Sequence, residues 1–351
     1  MKKSAAFFAA IFLSLCAAVP MSAQEVETAE TKEEPAQKSA WTFTVEPVFG
    51  VRLGQSKEIV WRKKSSDDSL YKLSELVYDM LPAWYVGANI GAQSKRFEIK
   101  FLSKFFIPAR SGNLTDSDWL NDIAYRNGDT TTKTDYSKHS LFLNPTSAGI
   151  AGFDLELQAA VKFYPTSFLT LAPLLSFNAQ HMNFQGRNGI GYYGNYLPSQ
   201  RTRASWSDVA NRTTLDYDGQ TIIDYQAFNL FIWTGIMARF EPTNWLAITA
   251  TTEVSPIFIF FDYDTHRTND KFFFDFAVSA FYAFRQSAQV EFKIKKFFSI
   301  CQTTTFVFTG ETHGSMYGKT DSEEKYKKIQ NTEAGSQMVY VDLELSAKFT
   351  W

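Results

Sequence analysis

The chain has 351 residues, a formal net charge of −2 and 16% aromatic residues, with 33 phenylalanines. Its lysines and arginines form no basic block, so a nucleic-acid partner is not expected. After the first 23 residues, no segment reaches the roughly 18 consecutive apolar residues that a transmembrane helix needs. Composition and charge therefore exclude a nucleic-acid-binding protein and a helical membrane protein.

Residues 1–23 have the pattern of a signal peptide: two lysines, an apolar stretch, and a small residue at the expected cleavage site. Residues 24–40 are polar, acidic and free of aromatic residues, which predicts a disordered leader. The remaining residues, 41–351, form the predicted folded domain. Cys301 is the single cysteine in that domain, so it cannot form an intramolecular disulfide there.

The end of the chain shows the clearest periodicity. In residues 339–351 every odd position is apolar, including the terminal Trp351, and every even position is polar or tyrosine. The same alternation recurs at 41–46, 97–101, 153–163 and 290–294. A period of two predicts strands with one apolar, aromatic-rich face and one charged face. We predict an all-β fold, a ten-stranded antiparallel transmembrane β-barrel of the outer membrane; a secreted soluble β-protein is the alternative.

The links between the predicted strands alternate in length, as periplasmic turns and extracellular loops do. The strands are predicted at 41–63, 68–93, 96–108, 141–163, 167–184, 221–240, 245–262, 271–285, 288–311 and 338–351. Short links are predicted at 94–95, 164–166, 241–244 and 285–287, and polar loops at 64–67, 109–140, 185–220, 263–270 and 312–337. An even number of strands puts both chain ends on the periplasmic side and these loops outside. Glu253 and Asp262 have opposite parity within one strand, which suggests a β-bulge between them.

Two clusters of acidic residues could carry chemistry. Asp262, Asp264 and His266 alternate where a strand ends, so their side chains point to one side. Asp116 and Asp118 alternate in the same way in the loop 109–140. Across a cleft the two clusters could hold a water, with His266 as general base and Asp264 orienting it. Two further interpretations remain open: solvated loop residues, or a divalent metal site without a supporting His-x-x-x-His or cysteine pair.

At these residues the chain resembles the omptins, which are ten-stranded outer-membrane Asp/His endopeptidases. Residues 112–122 (GNLTDSDWLND) resemble the omptin segment with the paired aspartates, which implies catalytic roles for Asp116 and Asp118. Residues 262–266 (DYDTH) resemble the segment with the Asp–His dyad, which implies the same for Asp264 and His266. The order of the segments and the chain ending SAKFTW also agree with the family.

The resemblance extends to the residues that bind the substrate. Omptins cleave mostly between two basic residues and hold them in acidic pockets. Residues 54–61 (GQSKEIVW) resemble a pocket segment and imply Glu58, with Asp262 as its partner. Residues 134–139 (TDYSKH) imply Asp135 for the neighbouring pocket. A fixed carboxylate is a suitable partner for an arginine side chain.

The chain departs from the family in its expected lipid contacts. Omptins typically need lipopolysaccharide, bound by an outer-face cluster that includes arginines. Counting from Gly186, the expected positions hold Phe177, Ala179 and His181, and Ala227 stands where a further arginine is expected. No cofactor or metal is expected, and activation by lipopolysaccharide is in question.

Three functions are compatible with these features. The first is an endopeptidase that cleaves basic peptides or proteins on the extracellular side, acting as a monomer in outer-membrane lipid. The second is a catalytically weak barrel that serves as an adhesin or host-protein-binding surface, suggested by the divergent lipid cluster and long loops. The third is a porin, although about ten strands usually leave the lumen filled by side chains.

Overall fold

The computed structural model describes residues 41–64, 67–119, 138–148, 152–163, 166, 168–199, 202–268 and 270–351. The predicted signal peptide, the acidic leader and Asp135 lie outside the described residues. Among the residues that are described, no helix is long and apolar enough to cross a membrane. The described residues form one compact unit.

The strands occupy most of that unit. They are β1 Thr42–Lys63, β2 Leu70–Gln93, β3 Phe97–Phe106, β4 Ala109–Trp119, β5 Lys138–Ala148, β6 Phe153–Val161, β7 Leu169–Arg187, β8 Ile190–Gly194, β9 Tyr196–Leu197, β10 Thr202–Arg203, β11 Arg212–Asp216, β12 Thr221–Phe240, β13 Leu246–His266, β14 Lys271–Ser279, β15 Ala283–Lys295, β16 Phe298–Thr309, β17 Gly314–Thr320 and β18 Lys327–Thr350.

The strands form a closed antiparallel wall. Each long strand pairs with the next along the chain, and β1 pairs with both β2 and β18, which joins the two ends of the sheet. In places, one long strand pairs with two short strands that follow one another along the chain. Strand β2 pairs with β3 and β4 in this way, and β13 pairs with β14 and β15. Among the described residues, closure leaves the long membrane-spanning strands without an unpaired edge, which is what a strand structure in lipid requires. The predicted all-β transmembrane barrel is thereby confirmed.

The two faces of the wall differ in polarity as the alternation predicts. On β18, Leu343, Leu345 and Phe349 point outward and are exposed, whereas Asp342 and Ser346, which have the opposite parity, are buried in the lumen. A soluble sandwich would bury such an apolar face. The exposed apolar side chains instead form an outer surface suited to lipid.

The strands extend well beyond the membrane at one end. Exposed apolar residues mark the lipid-facing part at residues 43–51 of β1 and 246–257 of β13. His266 lies nine residues after Ile257, which corresponds to roughly 30 Å along a strand. The upper parts of β1, β2, β4, β13 and β14 therefore lie outside the bilayer, at the end of the barrel opposite the chain termini.

The lumen within the membrane is crossed by ion pairs. Arg52, fully buried, donates hydrogen bonds to Asp342 and Asp154, both at 2.8 Å. Arg285 binds Glu156 in the same way, with Nη1 to Oε2 at 2.5 Å. Arg52 and Asp342 lie on neighbouring strands, whereas the Arg52–Asp154 and Arg285–Glu156 pairs cross the lumen between strands that do not pair with each other, which argues against an open pore.

An apolar layer closes the lumen above these ion pairs. Phe231 and Phe258 stack with ring centroids 4.5 Å apart, and Met80, Phe184 and Tyr225 belong to the same buried cluster. Packed aromatic rings leave little room for water, so this layer separates the polar lumen from the extracellular mouth. It forms the floor on which the acidic residues of the mouth are placed.

One predicted link is wrong. The polar run at residues 285–287 was expected to be a turn, but it lies within β15, with Arg285 pointing into the lumen. The turn instead falls between Lys295 and Phe298. Polar residues that face a charged lumen look the same in sequence as turn residues, and this explains the error.

The bulge expected between Glu253 and Asp262 is present. The β12–β13 register shifts so that Ile232 pairs with Ile257 but Thr234 pairs with Val254, which adds one residue to β13. Pro256, which cannot donate to the ladder, lies at this irregularity. Below the bulge the odd-numbered residues of β13 face the interior, and above it the even-numbered residues do. Both Glu253 and Asp262 therefore face the interior.

Candidate active site

The C-terminal end of β13 carries three of the predicted site residues, Asp262, Asp264 and His266. Above the bulge, residues of even number face the interior, so Asp262 and Asp264 are buried and His266 lies at the rim. Asp262 pairs with Asp275 of β14 across the hairpin. Because paired residues point to the same side of a sheet, Asp275 also faces the interior.

Asp264 and His266 form a hydrogen-bonded dyad. His266 Nε2 lies 2.6 Å from Asp264 Oδ2, and the side chains are 24% and 1% exposed, respectively. The edge of the Phe273 ring contacts the imidazole at a centroid distance of 5.4 Å. Burial by itself lowers the pKa of His266, but the Asp264 carboxylate outweighs this effect and the pKa is raised to about 9. The dyad can therefore hold a proton and release it to solvent or substrate.

Asp116 and Asp118 lie on a strand rather than in the loop predicted at 109–140. Strand β4 pairs with β2 and β5, and its alternation directs both aspartates to one face. Ser140 Oγ donates a hydrogen bond to Asp118 Oδ2 at 2.5 Å. The long outer loop was expected from polarity, but polar residues above the membrane also form strands because water solvates both faces. Strand placement fixes the two carboxylates more firmly than a loop would.

The two clusters face one another across the barrel mouth. The charges of Asp116 and Asp118 both contribute to the raised pKa of His266, which requires them to be near the imidazole. The structure thus brings together Asp116, Asp118, Asp264 and His266 from β4 and β13. Such an arrangement can hold a water between a base and a pair of carboxylates.

A second group of carboxylates lies beside the dyad. Oxygen atoms of Glu58, Asp262 and Asp275 all lie within 4.8 Å of one another, and the three residues are essentially inaccessible to solvent. The Asp275 backbone N–H donates to Asp262 Oδ1 at 3.0 Å. Burial raises the pKa of Glu58 well above its usual range, and the charges of Asp264 and Asp262 add to that effect. The predicted partners Glu58 and Asp262 are therefore together in one acidic pocket.

Sequence reasoning missed Asp275. It is the single charge in residues 272–278 (FFFDFAV), which is unusual for so apolar a segment. A hairpin centred after His266 places Asp262 opposite Asp275, so register counting on this hairpin would have identified it.

Two buried tyrosines form the floor of the pocket. The rings of Tyr78 and Tyr225 stack at 4.5 Å with an interplanar angle of 7°. The Tyr225 hydroxyl lies beside the Asp262 carboxyl group, but burial and the charge of Asp264 still raise the pKa of Asp262 well above its usual range. No periodicity or motif singles these residues out, because an inward tyrosine in a barrel strand is most often packing. Their hydroxyl groups provide donors toward an otherwise acidic site.

The expected lipid positions fall on two different faces. Phe177, Ala179 and His181 have the outward parity of β7, where the His181 ring stacks on Phe228 at 4.3 Å. Ala227 instead faces the interior and pairs with Asp262. The side chain at position 227 points toward the site and away from lipid, because neighbouring residues of a strand point to opposite faces and Phe228 points outward.

The comparisons with known proteins agree with this geometry. The omptin family model matches residues 39–351. The crystal structure of the outer-membrane protease OmpT from Escherichia coli has a TM-score of 0.72 at 12% identity, covering 88% of this chain and 97% of that chain. No curated protein sequence matches the chain.

Other solved barrels are much less similar. The outer-membrane protein OprG from Pseudomonas aeruginosa has a TM-score of 0.32 at 8% identity, with 89% of this chain and 97% of that chain covered. Ail, the attachment invasion locus protein of Yersinia pestis, has a TM-score of 0.22 at 8% identity, with coverages of 85% and 97%. Scores this low carry no argument for an adhesin. The family match over the whole described barrel, together with the closed wall and its apolar outer face, shows that the chain belongs to the omptin family of outer-membrane proteases.

Proposed function

We propose that the protein is an endopeptidase that hydrolyses peptide bonds at paired basic residues on the extracellular face of the outer membrane. The observation that carries the proposal is the Asp264–His266 dyad, hydrogen-bonded at 2.6 Å and facing Asp116 and Asp118 across the mouth. A base, an orienting carboxylate and two further carboxylates are the groups that water-mediated peptide hydrolysis needs.

In the proposed reaction a water lies between His266 and the aspartate pair. His266 takes a proton from the water as the oxygen attacks the scissile carbonyl, and Asp264 stabilises the imidazolium that forms. Asp116 and Asp118 orient the water through its second hydrogen. The tetrahedral intermediate then collapses as the amine leaves, taking a proton from the imidazolium, and the dyad returns to its starting state.

The protonation of His266 sets a condition on this mechanism. With a pKa of about 9, most His266 is imidazolium at neutral pH in the free protein. A cationic substrate side chain near these carboxylates offsets their negative charge and lowers that pKa. Substrate binding and activation of the base are therefore coupled, which favours basic peptides over neutral ones.

The acidic pocket provides the proposed recognition of a basic residue just before the cleaved bond. Glu58 and Asp262 lie together in this pocket, and the guanidinium or ammonium group of the substrate supplies the positive charge that pairs with them. Asp135, proposed for the neighbouring pocket, lies outside the described residues. The partners proposed are basic peptides or proteins, and the barrel acts as a monomer in outer-membrane lipid.

The proposed lipid dependence is weaker than in the family. The outward positions Phe177, Ala179 and His181 offer an apolar surface, extended by Phe228, in place of a cationic cluster for lipid phosphates. We therefore expect cleavage in phospholipid or detergent without added lipopolysaccharide. The family match favours a protease over an adhesin.

The test uses the detergent-refolded barrel and a fluorogenic peptide with one Arg–Arg bond, assayed with and without lipopolysaccharide. His266→Ala and Asp116→Ala should each abolish cleavage while circular dichroism shows an unchanged strand content. His313→Ala is the matched control, since His313 pairs with Glu333 on the outside of the barrel and should not affect cleavage. Cleavage by both site variants at the parent rate would overturn the mechanism.

A further inference from the structure

The acidic pocket contains one carboxylate more than recognition of a basic side chain requires. Asp275 is completely buried, and neither of its carboxylate oxygens has a hydrogen-bond partner. The Asp275 side chain points at Glu58 and Asp262, since carboxylate oxygens of the three residues lie within 4.8 Å of one another. A buried carboxylate without donors loses its hydration and gains nothing in return.

The surrounding residues do not neutralise this charge. Within the described part of the chain, no lysine, arginine or histidine forms an ion pair with Glu58, Asp262 or Asp275. The lumen lower down behaves differently, because buried acidic groups there such as Asp154 and Asp342 meet an arginine or lysine. The pocket therefore lacks a cation that the rest of the barrel interior supplies from its own side chains.

The geometry points to a site for a hard divalent cation of the calcium type, held by the carboxylates of Glu58, Asp262 and Asp275. Calcium binds carboxylate oxygens at 2.3–2.6 Å, so two ligand atoms on opposite sides of the ion are about 4.6–5.2 Å apart. Oxygens of the three residues all lie within 4.8 Å of one another, which a calcium ion bound among them allows, whereas magnesium usually keeps several waters and takes only one or two carboxylates. Oxygen ligands alone also disfavour the softer transition metals.

Charge favours a divalent cation over a single basic side chain. When all three carboxyl groups are ionised, a guanidinium group offsets one of the three negative charges, and a calcium ion offsets two. Because Glu58 and Asp262 also belong to the pocket proposed for the substrate, the ion and the basic residue exclude one another. This consequence rests on the proposed function, whereas the cation site itself does not: calcium would act as a competitive inhibitor of cleavage.

Direct binding is measured first. The barrel is refolded in a non-ionic detergent free of lipopolysaccharide, stripped with a chelator, and titrated with calcium chloride by equilibrium dialysis. We expect one saturable calcium ion per barrel, and a loss of affinity of roughly tenfold or more in Asp275→Asn, since fewer ligand charges weaken calcium binding. Asp224→Asn is the matched control: Asp224 lies at a similar height on the outer parity of β12, where it already accepts a hydrogen bond from Arg267.

The outcomes separate the site from the function. Absence of saturable binding by the parent barrel, or equal affinities in the parent and Asp275→Asn, overturns the site. Asp275→Ser, which has a smaller side chain, serves as a second variant if Asp275→Asn does not refold. In the peptide assay, calcium should raise KM without changing kcat in the parent, and should have little effect on Asp275→Asn. Stoichiometric calcium binding without this competition leaves the cation site in place and overturns the substrate pocket.

Discussion

The raised pKa of His266 predicts a cleavage rate that depends strongly on pH. The imidazole acts as a base only when neutral, so the rate rises with pH until the group has lost its proton. With a pKa of about 9, roughly 1% of His266 is neutral at pH 7 and about half at pH 9. We therefore expect kcat/KM for an Arg–Arg peptide to rise about 50-fold between pH 7 and pH 9, since arginine keeps its charge over this range.

Asp264→Asn tests the cause of that pH dependence. The asparagine keeps the size of the side chain but removes the charge 2.6 Å from the imidazole, so the His266 pKa should fall toward its ordinary value of about 6.5 or below, because burial remains. A fall from about 9 to about 6.5 corresponds to an interaction of about 3.4 kcal/mol. Cleavage at pH 9 should fall by roughly 100-fold or more, since the imidazolium formed in the reaction loses its stabilising partner.

The assay combines initial rates at each pH with NMR titration of the histidine side chains in micelles. His266→Ala identifies the His266 signal among the four histidines of the chain. Glu333→Gln is the control, because it removes the carboxylate from the outer His313 pair and should leave the pH–rate profile unchanged. A flat rate between pH 7 and pH 9 in the parent, or equal His266 pKa values in the parent and Asp264→Asn, would refute the reasoning.

Three other predictions follow from named contacts. Glu58→Gln should reduce the preference for a basic residue before the cleaved bond by roughly tenfold, measured as the ratio of kcat/KM for arginine and glutamine peptides; an unchanged ratio contradicts the pocket. Arg52→Ala leaves the buried Asp154 without its ion-pair partner, and should cost about 3–5 kcal/mol in urea unfolding from micelles, whereas Lys327→Ala, which breaks an exposed pair with Glu323, should have little effect. Ser140→Ala removes the donor to Asp118 and should lower kcat more than KM; a change in KM alone would assign Asp118 to substrate binding.

Much of the wall could be predicted because lipid and lumen impose opposite demands on neighbouring residues. The strand at 221–240 has the predicted bounds, and the β18 alternation runs to Thr350 as expected. Outside the bilayer this contrast disappears, since both faces meet water. The predicted loops at 109–140 and 312–337 accordingly contain strand residues, including Asp116 and Asp118. Arg285 shows the opposite error, a luminal side chain mistaken for a turn.

By itself the sequence determined the class of fold and the two halves of the site, because a period of two and the spacing of Asp264 and His266 are local properties of an extended chain. The tertiary structure determined which residues face one another across the barrel. Barrel closure and strand register brought Asp116 toward His266, and placed Asp275 against Glu58 and Asp262. Those contacts depend on pairings between distant strands, and pairing is a property of the closed sheet that no single segment encodes.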